Sequence, residues 1–215
     1  MIHIREITPD DAGKLLKLME ELDREADYLL YEPGERPMDE EVLREHIRKL
    51  ESPRFGTFFV AEADGKSNGA QKEEQTGGSG RGDLFCRDET SGRDETSGRT
   101  AQSTATSESN IDTQFAGYLE VRRLPWARVR HRAYLVIGIL KRHGGKGVGT
   151  RLMQEVESWA RKHGIRRLYL TLISENKAAV ALYRKMGYEI EGRHPASMRL
   201  GDRFVEELTM GKWLD

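Results

Sequence analysis

Apolar and polar residues alternate over Ile2-His3-Ile4-Arg5-Glu6-Ile7, the period of a half-buried strand, and Thr8, Pro9 and Asp11 then supply a helix start. Leu15, Leu18, Met19 and Leu22 continue that helix at a spacing of three to four residues. After the Pro33-Gly34 turn, Val42, Ile47 and Leu50 predict a second helix near 38–51, stopped by Pro53. Strands are predicted at about 56–62, 115–123 and 131–139. Val148, Leu152, Val156 and Trp159 mark a helix from about 147 to 163, closed by Gly164. Arg167 to Leu172 reads as a strand, 176–186 as a short helix ended by Gly187, and the tail supplies strands near 187–191 and 203–210. Strands and helices alternate behind antiparallel hairpins, so the expected class is a mixed α/β (α+β) layer structure around one central sheet.

Composition changes this picture in one place. The 215 residues carry a net charge of -1 and are only 37% hydrophobic and 33% charged, more polar than a compact domain of this length needs. The excess sits between Ser67 and Gln114, where seven apolar residues occur in 48 positions and a hexad, Arg87-Asp88-Glu89-Thr90-Ser91-Gly92, is repeated at Arg93–Gly98. So little apolar surface cannot offset the chain entropy lost on folding. The flanks, Thr57-Phe58-Phe59-Val60-Ala61-Glu62 with the turn signal Asp64-Gly65-Lys66, and Phe115-Ala116-Gly117-Tyr118-Leu119-Glu120-Val121, read as two strands of a hairpin. The expectation is a single domain, 1–215, with a low-complexity disordered insertion, 67–114, at a hairpin tip. The insertion carries -4, which leaves +3 on the rest.

Several classes drop out. The longest nearly unbroken apolar run, Ala133 to Leu140, is far short of the roughly 20 residues of a membrane span, and the N-terminus has no signal-peptide core. A cytoplasmic protein with no membrane partner is expected. The lone Cys86 closes no intrachain disulfide and anchors no zinc site by itself, and no metal site is read elsewhere. Basic patches interleaved with aromatics, the footprint of a nucleic-acid partner, are not evident.

The chemistry concentrates at Gly144-Gly145-Lys146-Gly147-Val148-Gly149-Thr150, which joins an apolar strand to an amphipathic helix. Glycines allow close backbone approach and positive φ, and a helix start offers unpaired N–H groups to an anion. A nucleotide-triphosphate loop would need Ser or Thr directly after the lysine, where this chain has Gly147. A dinucleotide fingerprint belongs on the first strand-helix unit, whereas several strands precede this turn. A tight turn without ligand is the bland alternative.

Ile137-Gly138-Ile139-Leu140 followed by this turn resembles the acetyl-CoA motif of the GNAT acetyltransferase superfamily. Ser174 to Gly192, with Asn176, Leu182-Tyr183-Arg184-Lys185-Met186-Gly187-Tyr188, is similar to that family's second segment, Asn-x-x-Ala through Leu-Tyr-x-Lys-x-Gly-Phe. With the insertion excised, the resemblance spans essentially all of the chain and implies a mixed central sheet of about seven strands flanked by helices. It implies that Ile137, Gly138 and Ile139 pair with the pantetheine amides and that N–H groups from Gly144, Gly145, Lys146, Gly147, Val148, Gly149 and Thr150 hold the pyrophosphate. The family usually has Arg or Gln at Gly144, and Arg142 is a candidate replacement. Asn176 would bind the pantetheine arm or cap the following helix, the two roles being compatible, with Lys185 also on the cofactor side.

The reaction so implied is direct attack of an amine on the acetyl-CoA thioester within a ternary complex. It needs a proton acceptor, donors for the developing oxyanion and an acid for the leaving thiolate. Tyr183 matches the family's thiolate-protonating tyrosine; a core aromatic is its other reading. Where some relatives carry a basic glutamate, this chain has Ala133, so His131 is the first candidate base and Glu120 the second, with a water-relayed base a further option. The acceptor is expected to be a small-molecule amine or a peptide N-terminus, met by the segment Tyr28 to Pro37, with Glu32 and Glu35, and by the region of His194. Arg122, Arg123, Arg128, Arg130, His131 and Arg132 are either solvated hairpin charges or a seat for an acidic acceptor or the CoA 3′-phosphate. A homodimer is compatible with this reading. Two other functions compete: a catalytically silent acetyl-CoA sensor, and a binding or display module built on Arg81-Gly82-Asp83-Leu84, which resembles an integrin-recognition tripeptide.

Overall fold

A computed structural model describes residues 1–26, 28–50, 52–63 and 114–215. Among them, seven strands form one sheet in the order β1-β2-β3-β4-β5-β7-β6: β1 (Ile2–Glu6), β2 (Gly56–Ala63), β3 (Gln114–Arg123), β4 (Arg132–Ile139), β5 (Arg167–Ile173), β6 (Glu189–Leu200) and β7 (Arg203–Trp213). The helices are α1 (Ala12–Glu25), α2 (Glu40–Leu50), α3 (Val148–Lys162) and α4 (Lys177–Lys185). The mixed α/β class and a sheet of seven strands are therefore as expected.

Alternation along the strands sends side chains to two separate cores. Leu15, Leu18, Met19 and Leu22 of α1 and Leu43, Ile47 and Leu50 of α2 pack on Phe58, Val60 and Tyr118 on one face. On the other, Val148, Leu152, Met153, Val156 and Trp159 of α3, with Tyr183 of α4, pack on Phe59, Leu119, Val121, Ala133, Leu135 and Leu168. The entry to α1 is fixed by charge. Asp11 accepts from the Thr8 backbone N–H and hydroxyl and takes a bidentate pair from Arg5 at 2.7 and 2.8 Å. Burial alone would raise the Asp11 pKa, but the Arg5 and Thr8 bonds outweigh it and bring it from 3.8 down to about 2.

Most boundaries fall within one or two residues of expectation, and the differences that matter are at the insertion and in the last two strands. Gln114 belongs to β3, where it pairs with Ala63, so the expected insertion loses its last residue. Its turn signal at 64–66, the repeated hexads, Cys86 and Arg81-Gly82-Asp83-Leu84 lie outside the described residues. The last two strands are longer than the tail pattern predicts. β6 is an edge strand with Pro195 inside it, tolerated at a register shift between His194 and Met198, and none of its residues is buried. An exposed edge held by backbone pairing carries no apolar periodicity to read.

Because Asp11 is more acidic in the fold than in the unfolded chain, its contribution is complete above pH 4 and is lost as pH falls toward about 2. Thermal unfolding should therefore show Asp11→Asn less stable than the parent at pH 6, with the gap closing by pH 2. Ala63 and Gln114 being paired, replacement of 64–113 by a two-residue turn is expected to leave a cooperatively folding protein, and loss of the unfolding transition would contradict that.

Candidate active site

β4 and β5 are parallel neighbours that pair only at Arg132↔Arg167, Ala133↔Leu168 and Tyr134↔Tyr169. Beyond Tyr134, β4 runs on to Ile139 and β5 to Ile173 with no strand between their facing edges. The sheet is thus forked, and the fork exposes backbone amides that an extended, amide-bearing ligand can pair. Gly138 lets α1 close one side of the fork: a Cβ there would stand 2.7 Å from Leu22 Cδ1 and 2.9 Å from Tyr118 Cε1.

The glycine turn forms the mouth of the fork. Gly145 and Gly147 have φ of 69° and 79°, and Gly147 caps α3 with no side-chain hydrogen bond, which leaves first-turn N–H groups of the helix for a ligand. Gly149, on α3, faces Ile139 and Leu182, so the end of β4, the start of α3 and α4 converge there. Lys146 is exposed and Val148 buried. Arg142 does not lie free beside the turn: it is paired with Glu21 of α1, and Glu25 accepts from the Lys141 backbone N–H. Asn176 caps α4, its Oδ1 accepting from Ala179 N at 3.1 Å. Tyr183 is buried on α4, and burial, with the nearby Tyr134 phenol, raises its pKa, so it keeps its proton at neutral pH. Lys185, at the end of α4, is exposed.

On the α1/α2 side of the sheet, β4, β5 and β7 present a half-exposed face. Tyr134 Oη and Thr171 Oγ1 are hydrogen-bonded at 2.7 Å, spanning the two strands at the point where they part. Arg132 and Arg167 both stand over the Tyr169 ring, at 5.4 and 5.0 Å. Arg167 is paired with Glu191; Arg132 has no carboxylate partner among the described residues. His194 Nε2 meets Thr209 Oγ1 at 2.8 Å on the same side. Of the expected acceptor segment, Glu35 accepts from the Glu32 backbone N–H, and Arg36 is committed to buried Asp23 by two bonds of 2.8 Å.

Neither candidate base stands free in the fork. His131 precedes β4 at its closed end, stacked on Trp213, while its carbonyl accepts from the Arg166 and Arg167 backbone N–H groups. Five residues of extended chain, about 16 Å, separate it from Val136. Glu120 is 3% exposed and both its oxygens are occupied, by Arg122 at 2.7 Å twice and by His46 Nε2 at 3.2 Å. Burial would raise its pKa, but the His46 and Arg122 bonds prevail and lower it. His46, on α2, is a site residue that sequence reasoning missed; its one signal is a position directly beside the buried stripe of Leu43, Ile47 and Leu50.

The forked sheet and glycine-lined helix start define a GNAT acetyltransferase fold. Residues 85–188 match the family model described as acetyltransferase (GNAT) family. It is 35% identical over 71 residues to an L-methionine sulfoximine/L-methionine sulfone acetyltransferase of Pseudomonas aeruginosa, covering 33% of this chain and 36% of that one. The chain spans about a quarter to a half of the length of the curated relatives it matches. Among solved structures it is similar to a GNAT-family acetyltransferase from Streptococcus pneumoniae, with TM-score 0.74 and 24% identity over 100% of both chains. It is also similar to yncA, a putative acetyltransferase from Salmonella typhimurium with its cofactor acetyl-CoA, with TM-score 0.68 and 14% identity over 100% of this chain and 95% of that one.

At Gly145 and Gly147 an added Cβ would meet nothing within 4 Å, so the cost of substitution is backbone strain alone. Gly147→Ala is expected to lose about 1–2 kcal/mol in a urea titration.

Proposed function

We propose that the protein is an acetyl-CoA-dependent N-acetyltransferase whose acceptor is a small primary amine bearing a carboxylate, of the amino-acid class. The observation that carries the transferase reading is the fork between β4 and β5 with the glycine turn at its mouth, which suits a ligand made of an amide-bearing arm ending in phosphates. Ile137, Gly138 and Ile139 would hold the arm along β4. The N–H groups from Gly145 to Thr150 would hold the pyrophosphate, that of Gly144 being already donated to the Lys141 carbonyl, with Lys146 adding charge. Bound acetyl-CoA supplies an activated acyl group. Tyr183, kept protonated, donates to the sulfur that departs, and Asn176 contributes the NH₂ of its amide, since its oxygen caps α4.

Two observations support the acceptor class. The Pseudomonas aeruginosa relative is named for amino-acid acceptors. On the half-exposed face beside the fork, Arg132 offers a guanidinium organised by Tyr169 and not neutralised by any described carboxylate. It stands two residues before Tyr134, about 7 Å along the strand, a separation that lets one small molecule place its amine at the fork and its carboxylate on Arg132.

Isothermal titration with acetyl-CoA and thiol release with L-amino acids test the reading; absence of both binding and turnover would sink it. Tyr183→Phe should lower kcat about 100-fold with acetyl-CoA affinity kept. Amines that match the amino acid but lack the carboxylate should be poorer substrates. Arg132→Met should raise KM for the amino acid about tenfold and remove that preference; an unchanged preference would detach Arg132 from the acceptor.

A further inference from the structure

Glu120 is a carboxylate buried in a strand, and a buried charge persists only when its partners answer it. Arg122 answers it with two hydrogen bonds, and His46 adds a third from another element. An ionised carboxylate is acceptor-only, so the ring nitrogen facing it, Nε2, must carry the proton. In neutral His46 this leaves the Nδ1 lone pair bare, and no described residue hydrogen-bonds to it. The ring is held edge-on against Phe58 at 5.8 Å, and the side chain is 38% exposed, so it is both fixed and open to solvent.

Register places this pair. Glu120 lies directly opposite Val136 on β4, and Val136 is two residues past the last β4–β5 pair. Glu120 therefore stands level with the start of the fork and about one strand spacing, roughly 4.8 Å, from β4, while His46 meets it from α2, edge-on to Phe58 of β2. Glu120 shares its sheet face with Tyr118 and Arg122, the face on which Tyr134 and Thr171 meet at the fork. An amine over Val136 and Tyr134 would lie on this same face, one strand away from Glu120, with water as the link to His46.

The geometry points to His46 as the proton acceptor for the attacking amine, with Glu120 as the positioning residue that fixes its tautomer. This rests on the N-acetyltransferase reading. As the C–N bond forms and the C–S bond breaks, the proton leaving the amine nitrogen goes to His46 Nδ1, while the sulfur takes one from Tyr183. His46 then returns its proton to solvent and the Tyr183 phenolate recovers one, so the protein ends unchanged. Nε2–H stays with Glu120 throughout, the same division of labour by which a carboxylate orients a basic imidazole elsewhere.

The test has an arm that needs no turnover. Long-range ¹⁵N–¹H correlation spectra of the free protein, with the His46 signals assigned by their loss in His46→Gln, should show the Nε2–H tautomer, and Glu120→Gln should convert it to a mixture. An Nδ1–H tautomer in the parent protein overturns the proposal. In the kinetic arm, His46→Ala should lower kcat about 100-fold with acetyl-CoA binding by calorimetry unchanged, and added imidazole should restore part of the loss. Full activity in His46→Ala, or a loss that imidazole does not rescue in either His46→Ala or His46→Gly, overturns it while leaving the acetyltransferase reading standing. Parent protein that releases no thiol with any amine removes that reading, and the base with it.

Discussion

The structure turns on where two parallel strands stop pairing. Every other neighbouring pair in the sheet is antiparallel, whereas β4 and β5 are parallel and joined through α3, so no hairpin ties their C-terminal ends together. Those ends are free to diverge once their side chains are accommodated elsewhere. α1 closes on Gly138 from one side, α3 and α4 meet Ile139 from the other, and the Tyr134–Thr171 hydrogen bond replaces backbone pairing at the apex. The remaining architecture supports the opening: β1 to β3 carry the platform for α1 and α2, and β7 holds β5 along its whole length.

Charge around the fork is divided. Near the glycine turn, the Arg142 guanidinium and the Lys141 amide are answered by α1 carboxylates. What the turn offers an anion is therefore mainly backbone N–H groups, whose position does not depend on a long side chain finding one rotamer. Across the sheet, Arg122 and Arg167 are neutralised by Glu120 and Glu191, and Arg132 alone on β4 keeps its charge for solvent or ligand. Gly211 makes the second of these pairs achievable, since the Glu191 carboxylate occupies the space that a side chain there would fill.

The sequence made the elements legible because most of them bury one face. Leu15 to Leu22 and Val148 to Trp159 announce helices, and Gly147 and Gly164 mark the limits of α3. What it could not supply was which end of β4 opens. Counting along a strand gives the face of each residue and not its distance from the fork, and so His131 looked as well placed as any residue of β4. Glu120 reads as one charged residue in an apolar strand, with Arg122 two positions on and therefore on the same face. Its second partner, His46, sits 74 residues away in a charged helix, a separation over which pattern carries no information. β6 was foreshortened for a different reason: its outer half is an exposed edge held by backbone pairing and surface polar contacts such as Ser197 with Glu207, with no buried apolar stripe.

The Ala63–Gln114 pair bears on the order in which the chain assembles. A β2–β3 contact that a short hairpin would make local is separated here by about fifty residues, nearly four doublings of a tight loop. At about 0.6 kcal/mol per doubling of the separation, that adds roughly 2 kcal/mol to the entropy of closure. The short connection between β3 and β4 carries no such burden. Folding is then best served when the β3–β4 hairpin forms first and presents a finished edge on which β2, with β1 and α1 behind it, docks late.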